Sequence, residues 1–168
     1  MQHDFIYQAI MQRIQERAQR IKYIDLYNGQ LDADDPEALT FPLPAALIEF
    51  VPGEVISSGN RVQRQTLEVL IYVVSEQPQE ANSLEADSVR RAALEHAPTM
   101  REVSAAICGL NSGNQAPVGF SSMARVGIDT FNLSGMITAN IITFRTYVDD
   151  RTMISETEDP EADVVIQV

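Results

Sequence analysis

The chain has 168 residues, of which 45% are hydrophobic, and a formal net charge of -12 at pH 7. This length fits a single domain with a sizeable core, and the strong acidity argues against tight binding to a nucleic-acid backbone, because neutralisation of phosphates supplies most of that affinity. The single cysteine, Cys108, excludes an internal disulfide framework and a cysteine-rich zinc site.

The first residues carry no basic region followed by an apolar run, and no stretch approaches the roughly 20 apolar residues of a membrane-spanning helix. We therefore expect neither a secretory signal nor a membrane span. The 12 basic residues are arginines except for Lys22. Arginine suits planar, bidentate contacts at interfaces, so this ratio favours protein–protein contact. A composition bias in the source organism would give the same ratio.

Residues 4–22 form the first predicted element, an amphipathic helix with Asp4 as its N-cap. Its apolar stripe consists of Ile6, Ile10, Ile14, Ala18 and Ile21. The other face carries three arginines at helical spacing, and we call them the basic strip: Arg13, Arg17 and Arg20. In an acidic protein this strip is either an ordinary solvated face or a docking face for an acidic neighbour.

Three strands are predicted next, at residues 23–27, 41–51 and 62–75, and a turn at Pro52 and Gly53 is predicted to end the second. The third is the clearest, and its end is apolar on both faces, as expected of a strand that enters a sheet covered on each side. Residues 54–60 are predicted as a polar connection. The acidic loop at residues 32–37 lacks the ligand spacing, the central glycine and the closing Glu of an EF-hand, so it predicts no calcium site.

The second half of the chain predicts two helical pieces, at residues 83–97 and 99–110, interrupted by Pro98. Two final strands follow at residues 123–131 and 135–148, the second rich in β-branched and aromatic residues. The whole order predicts an α+β fold, in which a mixed or antiparallel β-sheet is flanked by the N-terminal helix and a central helical segment.

We expect a single domain at residues 1–150 and an acidic C-terminal extension at residues 151–168. Residues 149–163 hold seven acids against one base, and segments of this kind bury too little apolar surface to offset the entropy lost on ordering. The extension closes on a short apolar patch able to add itself to a sheet edge: Val164, Val165 and Ile166. A disordered acidic terminus with no partner is the alternative.

The inventory of reactive groups predicts no enzyme. The histidines are His3, expected at a mobile terminus, and His96, near a helix end, while Cys108 lies among small apolar residues and is expected to be buried. No glycine-rich phosphate loop is present. We therefore expect no catalytic residue, no cofactor and no metal, although folding can bring carboxylates together.

Four segments resemble a known family. They are the amphipathic helix ending near Ile21, the proline-flanked strand at residues 41–51, the long strand at 64–74, and the late strand at 141–148 that leads into two aspartates. Together they span most of residues 4–150, and they resemble the tail terminator (tail-completion) proteins of long-tailed bacteriophages and of related contractile-tail particles. The acidic loop and the acidic extension have no counterpart in that resemblance.

The resemblance implies a structural virion protein that caps the tail tube as a hexameric ring, stops its polymerisation and joins the tail to the head. The implied partners are further copies of the chain, the tail tube protein and a neck or head-completion protein. Genome DNA would pass through the ring without specific binding, and assembly would take place in the host cytoplasm. Two alternatives remain: another neck or tail component, and a carboxylate-based enzyme or small-molecule binder.

Overall fold

The computed structural model describes residues 3–32, 39–57, 63–76, 86–94, 96–113, 118–133 and 137–150. It confirms the predicted α+β fold. The elements, in chain order, are α1 (Asp4–Arg17), β1 (Tyr23–Leu26), β2 (Ala45–Ser57), β3 (Gln63–Glu76), α2 (Asp87–Leu94), α3 (His96–Ile107), β4 (Val118–Phe120), β5 (Ala124–Asn132) and β6 (Ile137–Asp150). The six strands that the structure describes form one mixed sheet in the order β1-β2-β3-β6-β4, and β5 also pairs with β6. Only the β1–β2 pairing is parallel among these strands.

The first helix is shorter than the sequence predicts. It ends at Arg17, because Ala18 leaves the helical conformation with φ -123° and ψ 64°. A turn follows in which the amide of Ile21 donates to the carbonyl of Ala18. This turn returns Ile21 to the core, which is why the apolar spacing continues past the helix. The N-cap is His3, so the prediction of Asp4 at that position is wrong. Asp4 lies in the first turn, where its charge still suits the helix dipole.

The centre of the sheet is the antiparallel set β2-β3-β6. Alternate residues of β3 are fully buried, as predicted: Leu67, Val69, Ile71 and Val73. Strand β2 runs on to Ser57, past the Pro-Gly turn that was predicted to end it, because a bulge between Pro52 and Val55 absorbs the turn. A Cβ at Gly53 would lie 3.1 Å from the carbonyl oxygen of Thr66. Residues 54–57 are therefore strand, and residues 58–60 of the predicted connection lie outside the described residues.

The helical middle of the chain contains α2 and α3. Pro98 lies in the first turn of α3 instead of between the helices, a position at which proline costs no hydrogen bond. The start predicted for the first piece, residue 83, lies outside the described residues. Strand β4 was not predicted. Its three residues pair with the last residues of β6, and so short a segment has no periodicity to detect.

Two apolar clusters cover the two faces of the sheet unequally. The larger joins α1 and α3 to one face, with Ile10, Ile107 and Phe144 fully buried. The smaller lies on the other face, where Leu39, Phe41 and Leu43 pack against a cluster that includes Leu47 and Val74. The prediction that the sheet becomes covered on both sides toward the end of β3 is therefore confirmed. Among the described helices, none has the length and apolar character needed to cross a membrane.

Candidate protein interface

The reactive side chains stand apart from one another. His3 is half-buried at the start of α1 with its ring 5.4 Å from Phe50, so its expected place at a mobile terminus is wrong. Burial lowers the pKa of His3. Cys108 is exposed, not buried as expected, because it follows the buried last residue of α3. Within the described ranges, no three His, Cys, Asp or Glu side chains come together as metal ligands would.

The basic strip lies beside the buried stripe of α1 and not opposite it. At 100° per residue, Arg13 and Arg17 project within a quarter turn of the stripe that Ile10 and Ile14 define. Arg13 is accordingly half-buried, whereas Arg17 is exposed at the helix end. In the part of the chain that the structure describes, neither guanidinium forms an ion pair or a hydrogen bond. Partial burial of an arginine stem is compatible with both predicted roles of the strip, a solvated face and a docking face.

The third member of the strip, Arg20, has a partner within the chain. Its Nε donates to Oε1 of Glu102 on α3 at 2.8 Å. This contact joins the turn after α1 to α3, and Arg20 lies beyond the end of the helix that carries Arg13 and Arg17. Arg20 therefore contributes to the subunit itself, and the interface prediction for the strip rests on Arg13 and Arg17. The predicted interface residues Val164, Val165 and Ile166 lie outside the described residues.

A cluster of tyrosines and carboxylates occupies the face of the sheet away from the helices. Three hydroxyls donate to carboxylates: Tyr23 to Asp25 at 2.7 Å, Tyr27 to Asp32 at 2.7 Å, and Tyr72 to Glu49 at 2.5 Å. We call these six residues the tyrosine–carboxylate surface. No arginine or lysine of the described segments pairs with any of the three carboxylates.

The aromatic rings of this surface hold the carboxylates in place. Tyr27 stacks on Tyr72 with 4.5 Å between ring centroids, and Tyr23 stacks on Phe41 at 5.2 Å. Burial, followed by the hydrogen bond to Asp32, raises the pKa of Tyr27 to about 12. Burial, followed by the hydrogen bond to Glu49, also raises the pKa of Tyr72. Both shifts arise first from burial of the phenol and then from the carboxylate that accepts its hydrogen bond.

The remaining half of the same face is solvent-exposed and carries two ion pairs. Arg64 on β3 donates to Asp149 on β6 through two nitrogens, at 2.6 and 2.8 Å, and Arg145 donates to Glu68 at 2.7 Å. Tyr147 lies between the pairs and is 45% exposed. A shallow groove of about 330 Å³ runs beside it. We call this region, which consists of Arg64, Glu68, Arg145, Tyr147 and Asp149, the open half-face.

Strand β5 forms an exposed edge of the sheet. Among the described strands it pairs only with β6, and Val126 and Ile128 are about half exposed, at 48% and 51%. An edge of this length is a template for pairing with another chain, although the bulge between Arg125 and Gly127 limits which strand can add to it. The sequence predicted this strand at residues 123–131 but did not indicate that it lies at the edge of the sheet.

A second groove, of about 400 Å³, lies where α3 begins. It is lined by Arg20, Lys22, Leu43, Pro44, Ser75, Glu76, His96 and Thr99. The groove brings one member of the basic strip beside the only lysine, which the sequence placed close together. Its single carboxylate, Glu76, does not converge with another acid in the lining, so the groove lacks the paired carboxylates of an acid–base site.

Comparison with known proteins gives a structural likeness alone. No family model matches the sequence, and no curated protein matches it. Among solved structures, the chain is similar to a chain of "Virion of native gene transfer agent (GTA) particle". The TM-score is 0.47 and the identity 13%, over 85% of this chain and 93% of that chain.

Proposed function

We propose that the chain is a structural protein of a phage-like virion. Within the virion it is a tail terminator that caps the finished tail tube as a homo-oligomeric ring of six subunits and joins the tail to the neck. One observation carries this proposal: the four segments that resemble tail terminators assemble into a single unit. They are α1 and the strands β2, β3 and β6, which are consecutive neighbours in the sheet and carry the core on which α1 packs.

The surface of the subunit supports assembly into a ring. A closed ring of identical subunits needs a heterologous interface, in which two different surfaces of each copy meet. The described surface offers regions of different character: the basic strip beside α1, the tyrosine–carboxylate surface beyond the sheet, and the exposed edge at β5. The net charge of -12 also suits a ring around a DNA channel, because an acidic wall repels the polyanion and keeps it from adhering.

The first experiment is the mass of the purified protein in solution, combined with electron microscopy of the same sample. The proposal expects a closed six-membered ring, either free or at the end of isolated tail tubes. Tubes grown with the protein should stop at a defined length, whereas tubes grown without it should continue. A monomer at high concentration that also leaves tube ends bare would rule out the terminator function.

The same experiment separates the terminator from another neck or tail component. A terminator binds the tube end and limits tube growth. A head-completion protein would form its ring without affecting tube length, and a tube protein would itself polymerise. Tube length as a function of added protein therefore decides among the three structural roles.

A further inference from the structure

We propose that the basic strip of one copy docks on the tyrosine–carboxylate surface of the next copy, and that this contact closes the ring. The inference rests on the proposed function and names the two surfaces that meet. Arg13 and Arg17 are the cations of the contact, and Asp25, Asp32 and Glu49 are its anions. The two surfaces belong to opposite faces of the sheet, so the contact is heterologous, as a ring requires.

Two arginines of the cationic half have no counter-charge among the residues that the structure describes. In the described part of the chain, Arg13 and Arg17 pair with nothing, although Arg20 of the same strip is held by Glu102. Arg13 is half-buried against the core-facing side of α1. A guanidinium in that position gains from a partner that meets it bidentately, and two carboxylate oxygens supply that geometry.

The anionic half is more than a group of acids on an acidic protein. Each carboxylate accepts a tyrosine hydroxyl at 2.5–2.7 Å, and Asp25 also accepts the amide of Leu26. These bonds fix the side chains before binding and leave further lone pairs on every carboxylate. Other exposed acids, such as Glu54 and Glu76, have no such support from the described segments, so ordering them on binding would cost side-chain entropy.

The aromatic groups favour arginine as the occupant. Tyr27 and Tyr72 stack on each other, and the face of a tyrosine ring attracts a guanidinium that lies over it. The open half-face contains an example within the chain, since the guanidinium carbon of Arg64 lies 6.0 Å from the centre of the Tyr147 ring. Carboxylates beside tyrosine rings therefore match the chemistry of Arg13 and Arg17 better than that of a lysine-rich partner.

The experiment uses two charge-reversed proteins. One carries Arg13→Glu with Arg17→Glu, and the other carries Asp32→Lys with Glu49→Lys. Each should remain folded but fail to form rings alone, because like charges then face each other at every contact. The subunit concentration at half-assembly should rise by about tenfold or more, since several charge pairs act together. Mixing the two proteins should restore rings in which they alternate, because every contact again joins opposite charges.

The controls keep the proposal falsifiable. Reversal of two exposed arginines elsewhere, Arg91→Glu with Arg101→Glu, changes the net charge equally and should leave assembly unchanged. If the lysine variant fails to fold, the pair Asp32→Asn with Glu49→Gln should still weaken assembly and reduce its salt dependence. Normal rings from the Arg13→Glu, Arg17→Glu protein, or no recovery on mixing, would overturn the contact.

Two other outcomes identify different causes. Deletion of residues 152–168 could abolish the assembly defect of the Arg13→Glu, Arg17→Glu protein. In that case the partner of the basic strip would be the acidic extension, and the proposal would be overturned. A wild-type protein that forms no ring in solution or on tubes would overturn the proposed function together with the contact. Rings in the wild type that are indifferent to both reversals would leave the terminator function standing and reject only the contact.

Discussion

Tyr27 and Tyr72 stack with 4.5 Å between their ring centroids and an interplanar angle of 20°, although 45 residues separate them in the chain. Tyr27 follows β1, and Tyr72 lies in the middle of β3, two strands away. Each hydroxyl donates to a different carboxylate, Asp32 and Glu49. The stack therefore joins the edge of the sheet to its centre and places phenols and carboxylates on one surface.

The first prediction follows from the pKa of Tyr27, which burial raises from 10.0 to about 12. Below pH 10 the phenol is protonated in both folded and unfolded chains, so its contribution to stability is fully present. Between pH 10 and about 12 the unfolded chain loses the proton first, and the free energy of unfolding must fall as the pH rises. The melting temperature should therefore decrease across this window.

Absorbance of the phenolate gives a direct test. The wild type should show a tyrosine that ionises near pH 12, and Tyr27→Phe should remove that step and flatten the alkaline loss of stability. Circular dichroism at each pH establishes that the titration reports the folded chain. A Tyr27→Phe variant with an unchanged alkaline titration would contradict the assigned environment.

The second prediction concerns the docking of α1. Ile10 is fully buried between α1 and the sheet, so Ile10→Ala removes apolar contacts and leaves a cavity. The free energy of unfolding should fall by about 2–5 kcal/mol. The exposed Gln12→Ala on the same helix should change it by no more than about 0.5 kcal/mol. Urea unfolding measures both, and equal effects of the two variants would show that α1 is not packed as described.

The sequence predicted the centre of this fold better than its margins. Strand β3 was predicted within a residue at each end, because Leu67, Val69 and Ile71 alternate with partly exposed neighbours. The end of α1 was missed because Ile21 keeps the helical spacing although a turn carries it. The prediction ended strand β2 too early, because Pro52 and Gly53 signal a turn, whereas a bulge accommodates them within the strand. Local signals cannot distinguish these cases, since tertiary pairing decides them.

The candidate interface was also predicted only in part from the sequence. Spacing alone identified Arg13, Arg17 and Arg20 as one group, but the contact of Arg20 with Glu102 spans 82 residues and needs the fold. The tyrosine–carboxylate surface was missed entirely, because its members come from three separate segments. One signal was available: Tyr23 and Asp25 are two residues apart on a predicted strand, so they share a face.

The third prediction uses two glycines with different backbone conformations. Gly109 lies in the turn after α3 with φ +82°, a region that side-chain-bearing residues rarely adopt, and its amide donates to the carbonyl of Met123. Gly109→Ala should lower the free energy of unfolding by about 1–2 kcal/mol through backbone strain alone, since no atom obstructs a Cβ there.

Gly127 on β5 is the matched control. Its φ is not positive, and an added Cβ would make ordinary contacts at 3.8 and 3.9 Å with Thr143. Gly127→Ala should therefore be neutral or slightly stabilising, because alanine restricts the unfolded chain. Thermal unfolding of the two variants gives the comparison. A larger loss for Gly127→Ala than for Gly109→Ala would contradict the assigned conformations.

The last prediction concerns the acidic extension, residues 151–168, which follows β6. Deleting residues 152–168 should leave the thermal midpoint of the subunit nearly unchanged, because a segment with this excess of acids buries little apolar surface. The truncated protein should nevertheless join tails poorly or fail to couple them to heads, because we propose that Val164, Val165 and Ile166 add to a sheet edge of another protein. A chain in which these three residues alone are changed to Ser separates the apolar patch from the charge. Normal coupling by the Ser variant but not by the truncation would assign the role to the acids, and full infectivity of the truncated form would show that the extension has no partner.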